Sequence, residues 1–339
     1  MLLKRLTEAC GGPGKENDVR NLIRSEVTNL VDEIRTDALG NLITYKKGKH
    51  NGPKVMLAAH MDEVALMIVG VEKNGLLKFQ SVGGIDPRVL VAKSVWIGPN
   101  KINGVIGSKA IHLQKPGERK RSLGIDELYI DIGAKKQEET EKQVQLGDYA
   151  YFTTEYSELG VDTIKAKALD DRVGCAMLVD LLQDSYSFPL YGVFTVQEEV
   201  GLRGATVASY SVAPDIALVL EGTTASDVPS IDEHKYATTV GQGPSLTFMD
   251  SAVIPDPKLV STLMRLANEH NIPVQYRRHT AGGTDAGRIQ PSRAGVRVAV
   301  IAIPCRYIHS PIAIMNKKDY DNALRLVRVF LNSLSEGEV

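Results

Sequence analysis

Four short apolar runs, each closing on polar side chains, set the hydrophobic pattern of this chain. Residues 54–59 lead into His60-Met61-Asp62, and 191–196 into Gln197-Glu198-Glu199. Residues 215–220 lead into Glu221, and 296–303 into a segment that reaches His309. Unbroken aliphatic and β-branched runs of this length predict strands covered on both faces, as in a largely parallel sheet. Around them the period changes to that of helices. Val19, Leu22, Ile23, Val27 and Leu30 share one face after the Gly11-Gly12-Pro13-Gly14 break, and a shorter helix precedes it at 2–9. Further helices are expected after Asp170-Asp171, where Val173, Met177, Leu178, Leu181 and Leu182 repeat, at 258–270 and at 319–334. A strand pair turning at Gly40-Asn41 is expected within 34–45.

Between residues 69 and 162 short alternating segments replace this rhythm. Leu77–Val82, Ser94–Ile97, 105–106, 128–132 and 149–153 are separated by Gly, Asn, Asp and Pro, and no long helical pattern interrupts them. Such spacing predicts a small β-barrel-like unit. The expected architecture is therefore α/β. A mostly parallel central sheet flanked by helices comprises 1–68 and 163–339, with an inserted β-rich domain at 69–162.

Bulk properties narrow the function. The 339 residues suffice for two domains, and 40 basic against 41 acidic residues leave a net charge of −1. Neither nucleic acid nor an anionic membrane is expected as a partner. The amino terminus carries charge too early for a secretory segment, and Cys10, Cys175 and Cys305 are an odd set without CxxC spacing. A reducing cytoplasm is the expected location, and Cys305 is read as a small buried residue.

The polar ends of the runs carry the chemistry. In open α/β sheets ligands gather at the carboxyl ends of the strands, so His60, Glu198, Glu199, Glu221 and His309 are candidates for one cleft. Two imidazoles with several carboxylates suit Zn²⁺ or Co²⁺ better than Mg²⁺. A pair of ions needs one bridging carboxylate, and either residue of Asp170-Asp171 offers it; one Glu remains as general base. Asp62 lies on the same side of an extended backbone as His60 and is placed to accept its spare N–H.

His60-Met61-Asp62-Glu63, Ala168-Leu169-Asp170-Asp171-Arg172-Val173-Gly174, Gln197-Glu198-Glu199-Val200-Gly201-Leu202-Arg203-Gly204-Ala205, Ala281-Gly282-Gly283-Thr284-Asp285-Ala286 and Ile308-His309-Ser310-Pro311 together resemble the M42 family of metallo-aminopeptidases, which includes tetrahedral and glutamyl aminopeptidases. The resemblance spans almost the whole chain in order. It implies two divalent metal ions, Zn²⁺ first and Co²⁺ or Mn²⁺ as alternatives, bridged by Asp170. His60 and Glu221 would complete one site, and Glu199 and His309 the other. Glu198 would act as general base on a metal-bridged water, and Asp62 would orient His60. Where the family often has Asp, Glu221 keeps the carboxylate and adds a methylene. Short peptides are the implied substrates, and assembly from dimers to a tetrahedral dodecamer is implied through the insert.

Three rival readings share parts of this pattern. A deacylase, dipeptidase or carboxypeptidase of related metal fold shares the His-x-Asp and Glu-Glu motifs. An endoglucanase, a label some family members carry, would need no paired metals. A non-catalytic scaffold would not need a complete ligand set. Gly83-Gly84 lacks the context of a dinucleotide loop, and His50, His112, His234, His270 and His279 are read as surface residues. Arg277-Arg278 and Arg306 are read as surface or structural cations, the alternative being selection of an acidic substrate side chain.

Overall fold

In the four central strands, alternate residues face two different cores. Val55, Leu57 and Ala59 of Val55–His60 pack into one, and Met56 and Ala58 into the other. Ile216–Thr224 divides the same way, with Ile216, Leu218 and Leu220 against Ala217 and Val219. Covering both faces removes the alternation of hydrophobic and polar residues that a half-exposed strand would show. The computed structural model describes residues 1–50 and 52–335.

Leu190–Thr195, Val55–His60, Ile216–Thr224 and Arg297–Arg306 lie side by side and parallel. The margins are antiparallel, so the sheet is mixed. Leu42–Lys46 and Glu33–Thr36 extend one side; Ala313–Asn316, Thr163–Ala166 and Ser157–Leu159 extend the other. Two three-residue strands, Ser245–Thr247 and Gln275–Arg277, branch from Arg297–Arg306. The short marginal strands beyond the 34–45 pair escaped the sequence reading because three or four residues cannot display a period.

Helices Leu2–Glu8, Asn17–Val27, Leu169–Leu181, Pro257–Glu269 and Lys317–Ser335 cover one face of the sheet, and Arg203–Val212 and Ala286–Ile289 the other. Pro257–Glu269 begins where the Asp256 carboxylate accepts the N–H groups of Lys258 and Leu259, with Pro257 in the first turn. Arg203–Val212 had not been anticipated. Its Gly, Thr, Ser and Val residues are weak helix formers that offset its two alanines, and small residues leave no wide apolar stripe.

Six antiparallel strands close a barrel in the order Ala65–Val71, Leu77–Val82, Leu128–Asp131, Ile102–Ser108, Ser94–Ile97 and Tyr149–Phe152. Its interior follows the period of two, with Leu66 and Ile68, Leu77 and Phe79, Val95 and Ile97, Leu128 and Ile130, and Ala150 and Phe152. Among the described residues no helix is long and apolar enough to cross a membrane. Cys10, Cys175 and Cys305 are free and buried.

Candidate metal centre

Strand parity aims the first donors. Val219 pairs with Ala58 in the parallel ladder, and two residues further on each strand stand Glu221 and His60, on the same face. The His60 Nε2 lies 3.2 Å from Glu221 Oε1 and 3.3 Å from Asp170 Oδ1. Asp170 turns its other oxygen toward the second histidine, with Oδ2 3.5 Å from His309 Nε2. Glu199 Oε2 is 3.8 Å from that same nitrogen. The donor atoms of Asp170, Glu199 and His309 all lie within 4.8 Å of one another, as do those of His60, Asp171 and Glu221. Asp170 thus stands between two imidazoles.

Asp171 is differently engaged. Its Oδ2 accepts the His60 N–H and its Oδ1 the Gly174 N–H, both at 3.0 Å. The carboxylate therefore knits the start of the Leu169–Leu181 helix to the His60 strand. Gly174 makes this possible, because a Cβ there would stand 2.5 Å from Asp171 Oδ1 and from the Leu220 carbonyl. The peptide between Asp170 and Asp171 is cis.

Each histidine is held from behind by a backbone carbonyl. His60 Nδ1 lies 3.1 Å from the Asp62 carbonyl oxygen, and His309 Nδ1 lies 2.8 Å from the Gly84 carbonyl oxygen. With the proton on Nδ1 donated to these carbonyls, both Nε2 atoms are left facing carboxylates, which is how metal-binding imidazoles are held. The Asp62 carboxylate is further from His60, at 3.5 Å, and its two oxygens accept the N–H groups of Glu198 and Glu199 at 3.0 Å each. The expected His60 contact is thus made mainly by the Asp62 backbone, while the side chain anchors the Glu-Glu turn. Gly84 was set aside as a nucleotide loop residue; its carbonyl instead reaches His309 from the barrel. Gly83, at φ +92°, lets the loop pass close to Glu199, since a Cβ there would sit 3.3 Å from the Glu199 Cβ.

Ala168, Gln197 and His309 all adopt left-handed backbone at φ +52°, +56° and +56°. Non-glycine residues in this region cost about 1 kcal/mol or more each, and the surrounding fold must hold them. Part of that hold is a buried charge cluster beneath the site. Lys167 Nζ donates to both Glu63 oxygens at 2.6 and 2.7 Å and to the Ala9 carbonyl, and Arg172 reaches Glu63 and the carbonyls of Met61 and Leu6. These residues flank the two motifs but had been given no role; only their charge inside apolar-looking segments hinted at one. Asp285 was also missed. It is buried, accepts the Thr195 hydroxyl at 2.5 Å and leaves Oδ1 without a partner.

The electrostatics describe a site short of positive charge. Burial drives the Glu199 carboxyl up to about 7, Glu221 up to about 8 and Asp285 up to about 6, and raises Glu198 well above the usual carboxylate range. Burial opposes charge on the imidazoles too, yet Glu221, Asp170 and Asp62 raise His60 well above its ordinary value, and Asp170 with Glu199 lifts His309 to about 10. Asp170 is the exception. Burial works to raise it, but the hydrogen bonds from His309 and His60 hold it low. Protons balance part of this negative charge, and buried Glu221 Oε1, although 3.2 Å from His60 Nε2, makes no hydrogen bond. Nitrogen and carboxylate donors in two groups, with unspent negative charge, fit divalent ions.

A cavity of about 420 Å³ opens onto His60, Asp170, Glu198, Glu221 and His309. The 281–284 loop, Thr247, Arg277 and His279 also line it. His279 is exposed, as expected of a surface residue, and also lines the cavity. Arg306 is structural, paired with Asp227 at 2.6 Å.

A peptidase-type α/β sheet with paired His/carboxylate donors above its strand ends defines the class as a metallohydrolase. The model of the M42 glutamyl aminopeptidase family matches residues 40–326, and the chain belongs to that family of aminopeptidases, hydrolases of peptide bonds. It is 38% identical to the putative aminopeptidase FrvX of Escherichia coli (strain K12), covering all of this chain and 96% of that one. It is 33% identical to a lysyl aminopeptidase of Pyrococcus furiosus over 98% of this chain and 96% of the relative, and 31% identical to a glutamyl aminopeptidase of Lactococcus lactis over 99% and 97%. The TET aminopeptidase from Thaumarchaeota archaeon SCGC AB-539-E09 superposes with a TM-score of 0.95 at 36% identity, covering 100% of this chain and 98% of that one. The TET1 peptidase of Pyrococcus horikoshii, which assembles into a tetrahedron or a large octahedral shell, gives 0.86 at 29% identity over 97% and 98%.

Proposed function

We propose that this protein is a dinuclear metal-dependent aminopeptidase that removes amino-terminal residues from short peptides. The observation that carries the reading is the pair of histidines whose Nδ1 atoms face backbone carbonyls while their Nε2 atoms face opposite oxygens of Asp170. His60, Asp170 and Glu221 are assigned to one ion, and Asp170, Glu199 and His309 to the other. Zn²⁺ is the first assignment, with Co²⁺ or Mn²⁺ able to use the same donors. Such ions, when bound, supply positive charge that acidifies water and polarises the scissile carbonyl.

Glu198 is assigned the proton transfers. Its buried carboxyl, with an affinity for protons raised by burial, takes one from the attacking water and delivers it to the departing amine. Asp62 holds Glu198 and Glu199 in place through their N–H groups, so the base and its neighbouring ligand keep a fixed separation. The acidic rim of the cavity is suited to a free α-amino group, which restricts cleavage to the first residue.

The inserted unit at 69–162 is proposed to support assembly into a homo-oligomer, from dimers up to a closed shell. Three free buried cysteines suit a reducing cytoplasm. The test is a panel of aminoacyl-anilides and their N-acetylated counterparts, assayed on chelated protein reconstituted with Zn²⁺, Co²⁺ or Mn²⁺. Cleavage of the free but not the blocked substrates, dependent on metal, is expected. Inactivity with every substrate and metal, or cleavage of blocked substrates, would overturn the reading.

A further inference from the structure

Gln275–Arg277 is a three-residue strand whose last residue lines the same cavity as the candidate metal donors. Arg277 Nη2 donates to the Ala281 carbonyl at 2.5 Å, but its Nε and Nη1 are buried without a hydrogen-bond partner. Buried guanidinium groups are normally paired with carboxylates, because an uncompensated charge in a poorly solvated place is destabilising. Asp250 and then Glu221 act on it through their charge without pairing with it, and the Asp250 carboxylate is committed elsewhere. Its Oδ1 accepts the N–H groups of Ala252 and Val253 at 2.7 and 2.8 Å, and its Oδ2 faces the Thr284 hydroxyl. Among the described residues Arg277 forms no ion pair. Arg306, by contrast, is satisfied by Asp227.

The wall around Arg277 is small and polar, with Thr223, Thr224 and Thr247. Ala281 is pinned at its carbonyl by Arg277 and at its N–H by His279 Nδ1, at 3.2 Å, which stiffens this end of the pocket. The cavity therefore carries both signs of charge, the carboxylates of the candidate metal centre and one cation without a carboxylate partner. We infer that Arg277 is a specificity-determining residue that receives a carboxylate, namely the side chain of an amino-terminal Glu or Asp. The inference rests on the aminopeptidase reading. It separates this chain from relatives whose names point to opposite side-chain charges.

A carboxylate reaching Arg277 has two sources, the side chain of the first residue or the carboxyl terminus of a very short peptide. The experiment compares Glu-, Asp-, Leu- and Lys-anilides, together with Leu-Ala and its carboxyl-terminal amide, on metal-loaded wild-type protein and on Arg277→Gln and Arg277→Leu. Wild type is expected to cleave Glu- and Asp-anilides most efficiently. Each variant should lose about 10²-fold in kcat/KM on those two while staying within a few-fold on Leu-anilide, the scale set by removing a charged hydrogen bond to substrate. Melting curves of wild type should rise with free L-glutamate and not with L-lysine, and Arg277→Leu should abolish that rise.

A wild-type preference for Leu or Lys would overturn the assignment without using either variant, as would equal losses on all substrates. A preference for Leu-Ala over its amide that vanishes in Arg277→Leu would overturn it in favour of a carboxyl-terminal clamp. Absence of any anilide cleavage would overturn the underlying function as well. Cleavage with the wrong preference would overturn the specificity alone.

Discussion

The closed barrel and the strand ends of the large sheet are built on opposite terms. In the barrel, side chains such as Leu66, Phe79, Ile97, Ile130 and Phe152 point inward at every second position, and burial of apolar surface sustains the unit. At the strand ends, buried positions hold His60, Asp62, Asp171 and Glu221, together with a Lys167–Glu63–Arg172 cluster. The backbone there is left-handed at Ala168, Gln197 and His309. Isolated, such a collection would not hold its shape. It persists because two hydrophobic cores grip the four parallel strands from which it projects. The apolar architecture is thus the means, and the charged strand ends are what it maintains.

That contrast predicts that substitutions above the strand ends act on rate and metal, and substitutions in the barrel on stability. The largest effect is expected from Glu198→Gln. Turnover should fall about 10²–10⁴-fold, the usual worth of a positioned acid–base group, with metal content by elemental analysis and the melting temperature retained. Loss of metal in that variant would mean Glu198 is a ligand and not the base. Lys167→Met tests where the contrast breaks. It lies beside the site yet removes the shorter of the two cation contacts to buried Glu63, leaving Arg172 at 3.2 Å, so a stability loss of about 3 kcal/mol is expected in denaturant titration. An unchanged midpoint would show the cluster to be dispensable.

Ile130→Ala in the barrel should cost about 2–5 kcal/mol by the same measurement and leave kcat unaltered well below the melting temperature. A fall in kcat would mean barrel packing reaches the chemistry directly. Asp62→Asn, by loosening the Glu198–Glu199 turn, should weaken metal binding about 10–100-fold in competition with a chelator of known affinity. No change would limit Asp62 to its backbone contact with His60.

The smallest effect concerns pH. In chelated protein Glu199 titrates near 7, Glu221 near 8 and His309 near 10, each above its unfolded value. The folded state therefore holds protons that the unfolded chain has released, and stability should fall as pH rises from about 5 to 9. Saturating divalent metal should flatten that slope in melting experiments, while the chelated protein keeps it.

Much of this organisation was legible in the sequence, for physical reasons that differ by region. Unbroken apolar runs identified the four parallel strands, and the period of two identified the barrel. The candidate donors His60, Glu199, Glu221 and His309 stood out because each follows an apolar run. What escaped was whatever depends on backbone direction. The run pattern could not choose between Asp170 and Asp171; the family resemblance named Asp170, but nothing showed that Asp171 turns to the N–H groups of His60 and Gly174. Nor could the pattern reveal that Asp62 holds the Glu-Glu turn through its side chain, or that the carbonyl of Gly84 reaches His309. Arg277 was ambiguous for a related reason. A charged residue in a three-residue strand carries no sign of whether it faces solvent or a cavity.

The contact between the Gly84 carbonyl and His309 Nδ1 decides how far this enzyme can be trimmed. An insert is commonly regarded as a removable module, since both of its ends return to the parent sheet. Here, replacing the barrel with a short linker would spare every donor side chain and still deprive one histidine of the group that fixes its ring. A version trimmed of the barrel would therefore need another acceptor for that ring.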